Sequence, residues 1–116
     1  DRPNFGTTLN LCHLLKVEGD QGIPEKMRLA LPYLKAVSIC GADQGDTQAL
    51  TWVELIQPLG DGTFDTYAFI RDLKRLGYDG PVGLQCYNIK GDCRAVLEKS
   101  MATWRDYQRR FAAEAK

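Results

Sequence analysis

What this sequence most plainly lacks is a surplus of charge. Lys and Arg together number 15, Asp and Glu also number 15, and there is a single histidine, His13. With no basic field, neither nucleic acid nor an anionic membrane surface is an expected partner. No apolar run approaches the roughly 20 residues a bilayer span requires, and the N-terminus has neither a basic n-region nor an apolar h-region, so the chain reads as soluble. No two of the cysteines, Cys12, Cys40, Cys86 and Cys93, form a C-x-x-C pair. That spacing favours free, mostly buried thiols in a reducing compartment, and hence a cytoplasmic setting, over a disulfide framework. A Cys86–Cys93 bridge stays open.

What is present fits one small domain spanning 1–116, with 44% hydrophobic and 26% charged residues, able to bury a modest core. The chain opens on Asp1 rather than Met, and its DRPNFG entry leads directly into an apolar segment. This reads as an excised or split piece whose upstream partner is missing.

Segment 5–15, FGTTLNLCHLL, is bounded by Gly6 and the EGDQG loop, and its centre reads as a strand with Thr8, Asn10 and Cys12 on one face. IPEKMRLAL follows as a helix, with Pro24 suited to its first turn, Met27, Ala30 and Leu31 at helical spacing, and Pro32 ending it. LKAVSIC, 34–40, reads as a buried strand running into the polar GADQGD loop. VELIQPLGDG, 53–62, repeats that pattern as a further strand, and the link between these two is too short and polar for a helix. From Asp65, Phe69, Leu73 and Leu76 mark one helical face and Gly77 supplies the C-terminal stop. PVGLQCY, 81–87, is the last strand. Asp92 then caps an amphipathic helix whose stripe is Leu97, Met101, Trp104, Tyr107 and Phe111.

The order β, α, β, loop, β, α, β, α predicts an α/β fold of parallel βα repeats. Four such strands make a small open sheet or half of a TIM (β/α)8 barrel, and the missing helix and abrupt start favour the half barrel. In a barrel the chemistry sits at the C-terminal ends of the strands. Those ends deliver Asn10 and His13, Cys40 and Asp43, Gln57, and Gln85 to one rim, where they could surround a small polar ligand.

These segments resemble the C-terminal half of the xylose isomerase-like TIM barrel family, which includes sugar phosphate isomerases and epimerases and relatives of endonuclease IV. The resemblance lies in LNLCHLL, VSICGAD, PLGDGTFD with FIRDLKRLGYDGPVGL, and the MATWR helix, and it covers nearly the whole chain. It implies a sugar or sugar phosphate isomerase or epimerase, in which a divalent metal (Mn, Mg or Zn) polarises sugar oxygens while proton transfer takes place next to a carbonyl. Family positions that carry an Asp and a His three residues on fall at Asn10 and His13. Those carrying a His and an Asp three residues on fall at Cys40 and Asp43, and the Glu of the last strand falls at Gln85. His13 and Asp43 match and the other three depart. Neutral amides offer a hard cation no charge and cannot serve as bases, which weighs against metal-assisted catalysis in the usual way.

Carried over, the resemblance makes His13 a catalytic group and His13, Asp43 and Gln85 the metal set, with Asn10, Asp43 and Gln85 contacting substrate; Gln57, from its strand end, and Trp52, from its ring, join them as substrate contacts. Each has a plainer alternative. His13 can be a loop residue bonded to backbone, Asp43 a turn organiser, and Gln85 and Asn10 satisfied amides in the barrel wall. Trp52 and Tyr87 can stack on a sugar ring or fill core. Gly60 and Asp61 of the GDGTF turn border the implied sugar site or simply form a cap. Cys12, Cys40, Cys86 and His13 invite a zinc site, but their spacing is not that of a zinc motif. Two further readings stand beside the enzyme: a catalytically silent carbohydrate-binding barrel, and a half barrel that pairs with a second copy. The implied partners are a small sugar or sugar phosphate and either the N-terminal half of the barrel or that second copy.

Overall fold

The computed structural model describes residues 2–115. Its elements run β1 (Thr7–Asn10), α1 (Leu11–Glu18), α2 (Ile23–Ala30), a 3-10 turn at Leu31–Tyr33, β2 (Leu34–Ile39), α3 (Trp52–Leu55), α4 (Thr66–Arg75), β3 (Val82–Leu84) and α5 (Cys93–Glu114). The three strands form one sheet in the order β1-β2-β3, and both pairs are parallel. Parallel strands cannot be joined by a hairpin, so helical segments carry the chain back between them.

The register sorts the side chains. Leu9 pairs with Val37, and Val37 and Ile39 pair with Val82 and Leu84. Because alternate residues point to opposite faces, these five share one apolar face. It joins the core with Leu11 and Leu15 of α1, Met27 of α2, Leu55 of α3 and Leu73 of α4. The opposite face carries Thr8, Asn10, Ala36, Ser38 and Gly83, all small or polar. A sheet built this way suits a barrel wall, with helices on its apolar side.

Local signals account for most boundaries. Pro24 lies in the first turn of α2, where its missing N–H costs nothing. Asp65 caps α4 by accepting from the Ala68 N–H at 2.9 Å, and Asp92 caps α5 through the Ala95 N–H at 3.1 Å. Gly77, at φ 104°, follows α4 in the left-handed region that glycine enters most easily. Replacing Asp65 with Ala should remove one capping bond and cost about 1 kcal/mol of stability. Urea unfolding reads this directly, and an unchanged midpoint would mean the cap contributes nothing.

Two segments differ from the sequence reading. The strand expected at the centre of 5–15 is confined to β1, and Cys12 and His13 lie in α1. Leu11, Cys12 and Leu15 are the buried positions there, a spacing of one and four residues that follows the helical period rather than alternation. The strand expected at 53–62 is absent. A capping box between Thr51 and Glu54 winds Trp52–Leu55 into one helical turn. Beyond it only Gln57 pairs, in an isolated antiparallel bridge to Gly41, and Pro58 then has no N–H to extend a ladder.

The cysteines also differ in part. Cys12 and Cys40 are buried, whereas Cys86 and Cys93 are exposed, and all four are free thiols, so the Cys86–Cys93 bridge does not form. No helix among the described residues is long and apolar enough to cross a membrane.

Candidate functional site

The three strands point the same way, so Asn10, Cys40 and Gln85 stand at their C-terminal ends on one rim. After β2 the chain is held on two sides. Gly41 and Gln57 exchange backbone hydrogen bonds of 2.9 Å each, and the Asp43 N–H donates to the Glu54 carbonyl at 2.9 Å. From the other side the Phe64 N–H donates to the Ala42 carbonyl at 2.9 Å. Gly41 and Gly62 make this possible, since a Cβ at either would overlap facing backbone atoms.

This arrangement opens a cleft of about 390 Å³ at the rim. Asp43, Glu54 and Gln57 line it together with Trp52, Ile56 and Pro58, and the loop Tyr87–Lys90 contributes the remainder. Clefts that are mostly apolar with a few convergent polar groups are the usual form of small-molecule sites.

Asp43, Trp52 and Gln57, three of the expected substrate contacts, therefore line one cleft. Asp43 accepts from the Thr63 N–H through Oδ1 at 3.2 Å, so it organises a turn and faces the cleft at once. Gln57 donates from Nε2 to the Glu54 carbonyl at 2.8 Å, which leaves its Oε1 as an acceptor. Trp52 is held by α1: the His13 ring meets it edge-on at 5.3 Å and 89°, and Lys16 Nζ lies 5.9 Å from its centroid. Lys16 is itself anchored to the Leu50 and Gln48 carbonyls at 2.6 and 3.1 Å. His13 thus contacts Trp52 from α1 and is not itself among the cleft-lining residues.

Asn10 and Gln85 are not among the cleft residues. Asn10 Oδ1 accepts the Cys12 thiol at 3.2 Å. Gln85 Oε1 accepts the Tyr87 N–H at 3.0 Å, while its backbone N–H extends the β3 edge to the Ile39 carbonyl. Each amide serves the local turn. Gly60 and Asp61 are drawn to α5: Gly60 abuts Thr103, and Asp61 pairs with Lys99. Cys40 donates to the Leu55 carbonyl at 3.2 Å, and its contact with Cys12 together with burial pushes its thiol pKa well up, so it stays protonated.

The donor set does not fit a resident divalent metal on these residues alone. Among the described residues no three His, Cys, Asp or Glu side chains gather closely enough to hold one. The amide oxygens of Asn10 and Gln85 already accept hydrogen bonds, as does Oδ1 of Asp43. Cys86, exposed beyond β3, joins no such group with Cys12, Cys40 and His13.

Sequence reasoning missed Asn88 and Lys90. Asn88 is the one non-glycine residue at positive φ, 60°, among the described residues, and asparagine is one of the few residues that tolerate that region. The YNIKGD turn composition was the available signal.

Comparison with known proteins agrees with this architecture. The sequence matches the family described as xylose isomerase-like TIM barrel over residues 1–107. The fold is similar to a 1.8 Å crystal structure of the IolI protein with a binding zinc atom, with a TM-score of 0.73 at 18% identity over 95% of this chain. The match covers 40% of that chain, so the present sequence spans well under half its length. No curated protein matches the sequence. Parallel βα order, an apolar outer sheet face and a cleft at the strand C-termini all accord with these matches, and the chain belongs to the xylose isomerase-like TIM barrel family.

Proposed function

We propose that this chain supplies the sugar-binding rim of a sugar or sugar phosphate isomerase/epimerase-like barrel. The observation that carries the reading is the rim cleft, in which two aromatic side chains, Trp52 and Tyr87, accompany the free acceptors of Asp43 and Gln57. Aromatic faces take the C–H surface of a sugar ring, and carboxylate and amide oxygens accept its hydroxyl protons. His13 meets Trp52 edge-on from α1 and is not among the cleft-lining residues; it is kept as the candidate for proton movement as the chain's single imidazole. No step is routed through a metal, since these residues do not gather a ligand set by themselves.

A second reading, a carbohydrate-binding barrel without catalysis, is favoured by the amides at Asn10 and Gln85, which are neutral and already hydrogen-bonded. Sugar binding without turnover in the whole protein would select it.

The edges bear on partners. Beside β3, Leu97 and Met101 are exposed around a groove with Val82 and Leu84; beyond β1, Phe5, Leu29 and Tyr33 are exposed. We assign these two margins to the remaining strands of a barrel, with a second copy of the chain as the alternative occupant.

Trp52→Ala tests the cleft. Sugars that raise the melting temperature of the full chain should bind the variant about tenfold more weakly, as expected for loss of one aromatic anchor. Unaltered affinity would place the sugar elsewhere.

A further inference from the structure

Lys90 is the sole cation among the residues lining the cleft. Its Nζ donates to Asn88 Oδ1 at 2.9 Å, and it has no carboxylate partner among the described residues. Four other lysines are engaged, Lys16, Lys26 and Lys35 on backbone carbonyls and Lys99 on Asp61, while Lys74 lies over the Phe111 ring away from the cleft. Asn88 reaches this position from a left-handed backbone conformation at φ 60°, a conformation that costs energy in any L-residue and recurs where a loop is shaped for a task. A neutral amide orients an ammonium group without neutralising it, so the positive charge stays available.

Asp43 and Glu54 share this lining and keep their charge, each with one oxygen turned onto neutral donors. Glu54 Oε1 accepts both the N–H and the hydroxyl of Thr51, at 3.1 and 2.9 Å, and Asp43 Oδ1 accepts from Thr63. Tyr87 lies three positions before Lys90 and lines the same cleft. A ring laid against the aromatic side chains can therefore carry a substituent to the ammonium.

We propose that Lys90, oriented by Asn88, recognises an anionic substituent, phosphate or carboxylate, on the sugar bound in the cleft. This inference rests on the cleft reading above and narrows its ligand to an acidic or phosphorylated sugar.

The test is calorimetric titration of the full chain with matched pairs: ribose and ribose 5-phosphate, fructose and fructose 6-phosphate, glucose and glucose 6-phosphate, and glucose and glucuronate. At least one anionic member should bind about tenfold more tightly than its neutral partner, the scale of one charge-assisted hydrogen bond. A phosphate preference without a glucuronate preference identifies phosphate as the group, and the reverse identifies carboxylate. In Lys90→Ala that advantage should vanish, and Lys90→Arg should restore most of it. Equal affinities within every pair, or an anionic preference that survives Lys90→Ala, would overturn the role of Lys90 and leave the cleft reading intact. No binding by any member would overturn the cleft reading and this inference with it.

Discussion

Gly62→Ala is expected to destabilise the protein by about 2–5 kcal/mol, combining the left-handed penalty of an L-residue with overpacking against fixed backbone. Gly62 adopts φ 84°, and a Cβ there would overlap the carbonyl of Ala42, a fully buried residue. The two segments cannot separate cheaply. Ala42 accepts the Phe64 N–H, and Asp43 accepts the Thr63 N–H, so moving the 60–64 turn breaks both bonds and releases Asp43 from its place in the cleft. Gly45→Ala is the matched control. Its φ is 109°, but no atom lies within 4 Å of the added methyl group, so only the backbone penalty of about 1–2 kcal/mol applies. Denaturant unfolding of the two variants separates strain from overlap. Equal losses would show that the turn does not pack on residues 41–43 as described.

Leu55→Ala is expected to cost about 2–5 kcal/mol, the range for truncating a fully buried leucine. Leu55 has no exposed surface, and its carbonyl accepts the Cys40 thiol at 3.2 Å. It is the one buried residue of α3, a single turn whose neighbouring positions put Trp52 and Glu54 into the cleft. A cavity beneath that turn should loosen Trp52 as well as lower stability, so sugar affinity should fall along with the unfolding midpoint. A loss below about 1 kcal/mol would mean that α3 is not docked on the core through this side chain.

How much of this was legible in the sequence varies by segment, for physical reasons. β2, α4 and α5 carried concordant signals: an apolar run ending in a polar Gly loop, caps at Asp65 and Asp92, and Gly77 after the helix. The 5–15 run was ambiguous because eleven residues rich in leucine and threonine satisfy alternation and helical spacing about equally, and burial of Leu11, Cys12 and Leu15 decided the matter. At 53–57 the β-branched Val53 and Ile56 suggested a strand, whereas the T-x-x-E spacing of Thr51 and Glu54 was a readable capping signal that prevailed.

The site divides in the same way. Asp43 was legible because it follows β2, which forms as expected; Gln57 was placed on the rim by a strand at 53–62 that does not form, and Trp52 was singled out only as a ring that could stack on a sugar. Gln85 was legible as the strand-end residue, but its amide is satisfied by the Tyr87 N–H two residues on, a local turn bond that competes with any ligand. Lys90 and Asn88 were not legible, because only the folded loop after β3 brings them to the cleft built largely by α3.

The most direct test of the central claim is a heteronuclear NMR titration of the isotope-labelled chain with the sugar and sugar phosphate panel. The account predicts shift changes confined to the Trp52 indole and the amides of Asp43, Gln57 and residues 87–90, with the Trp104 indole unmoved. Perturbations centred instead on the β3–α5 groove around Leu97 and Met101, or none at saturating ligand, would contradict it.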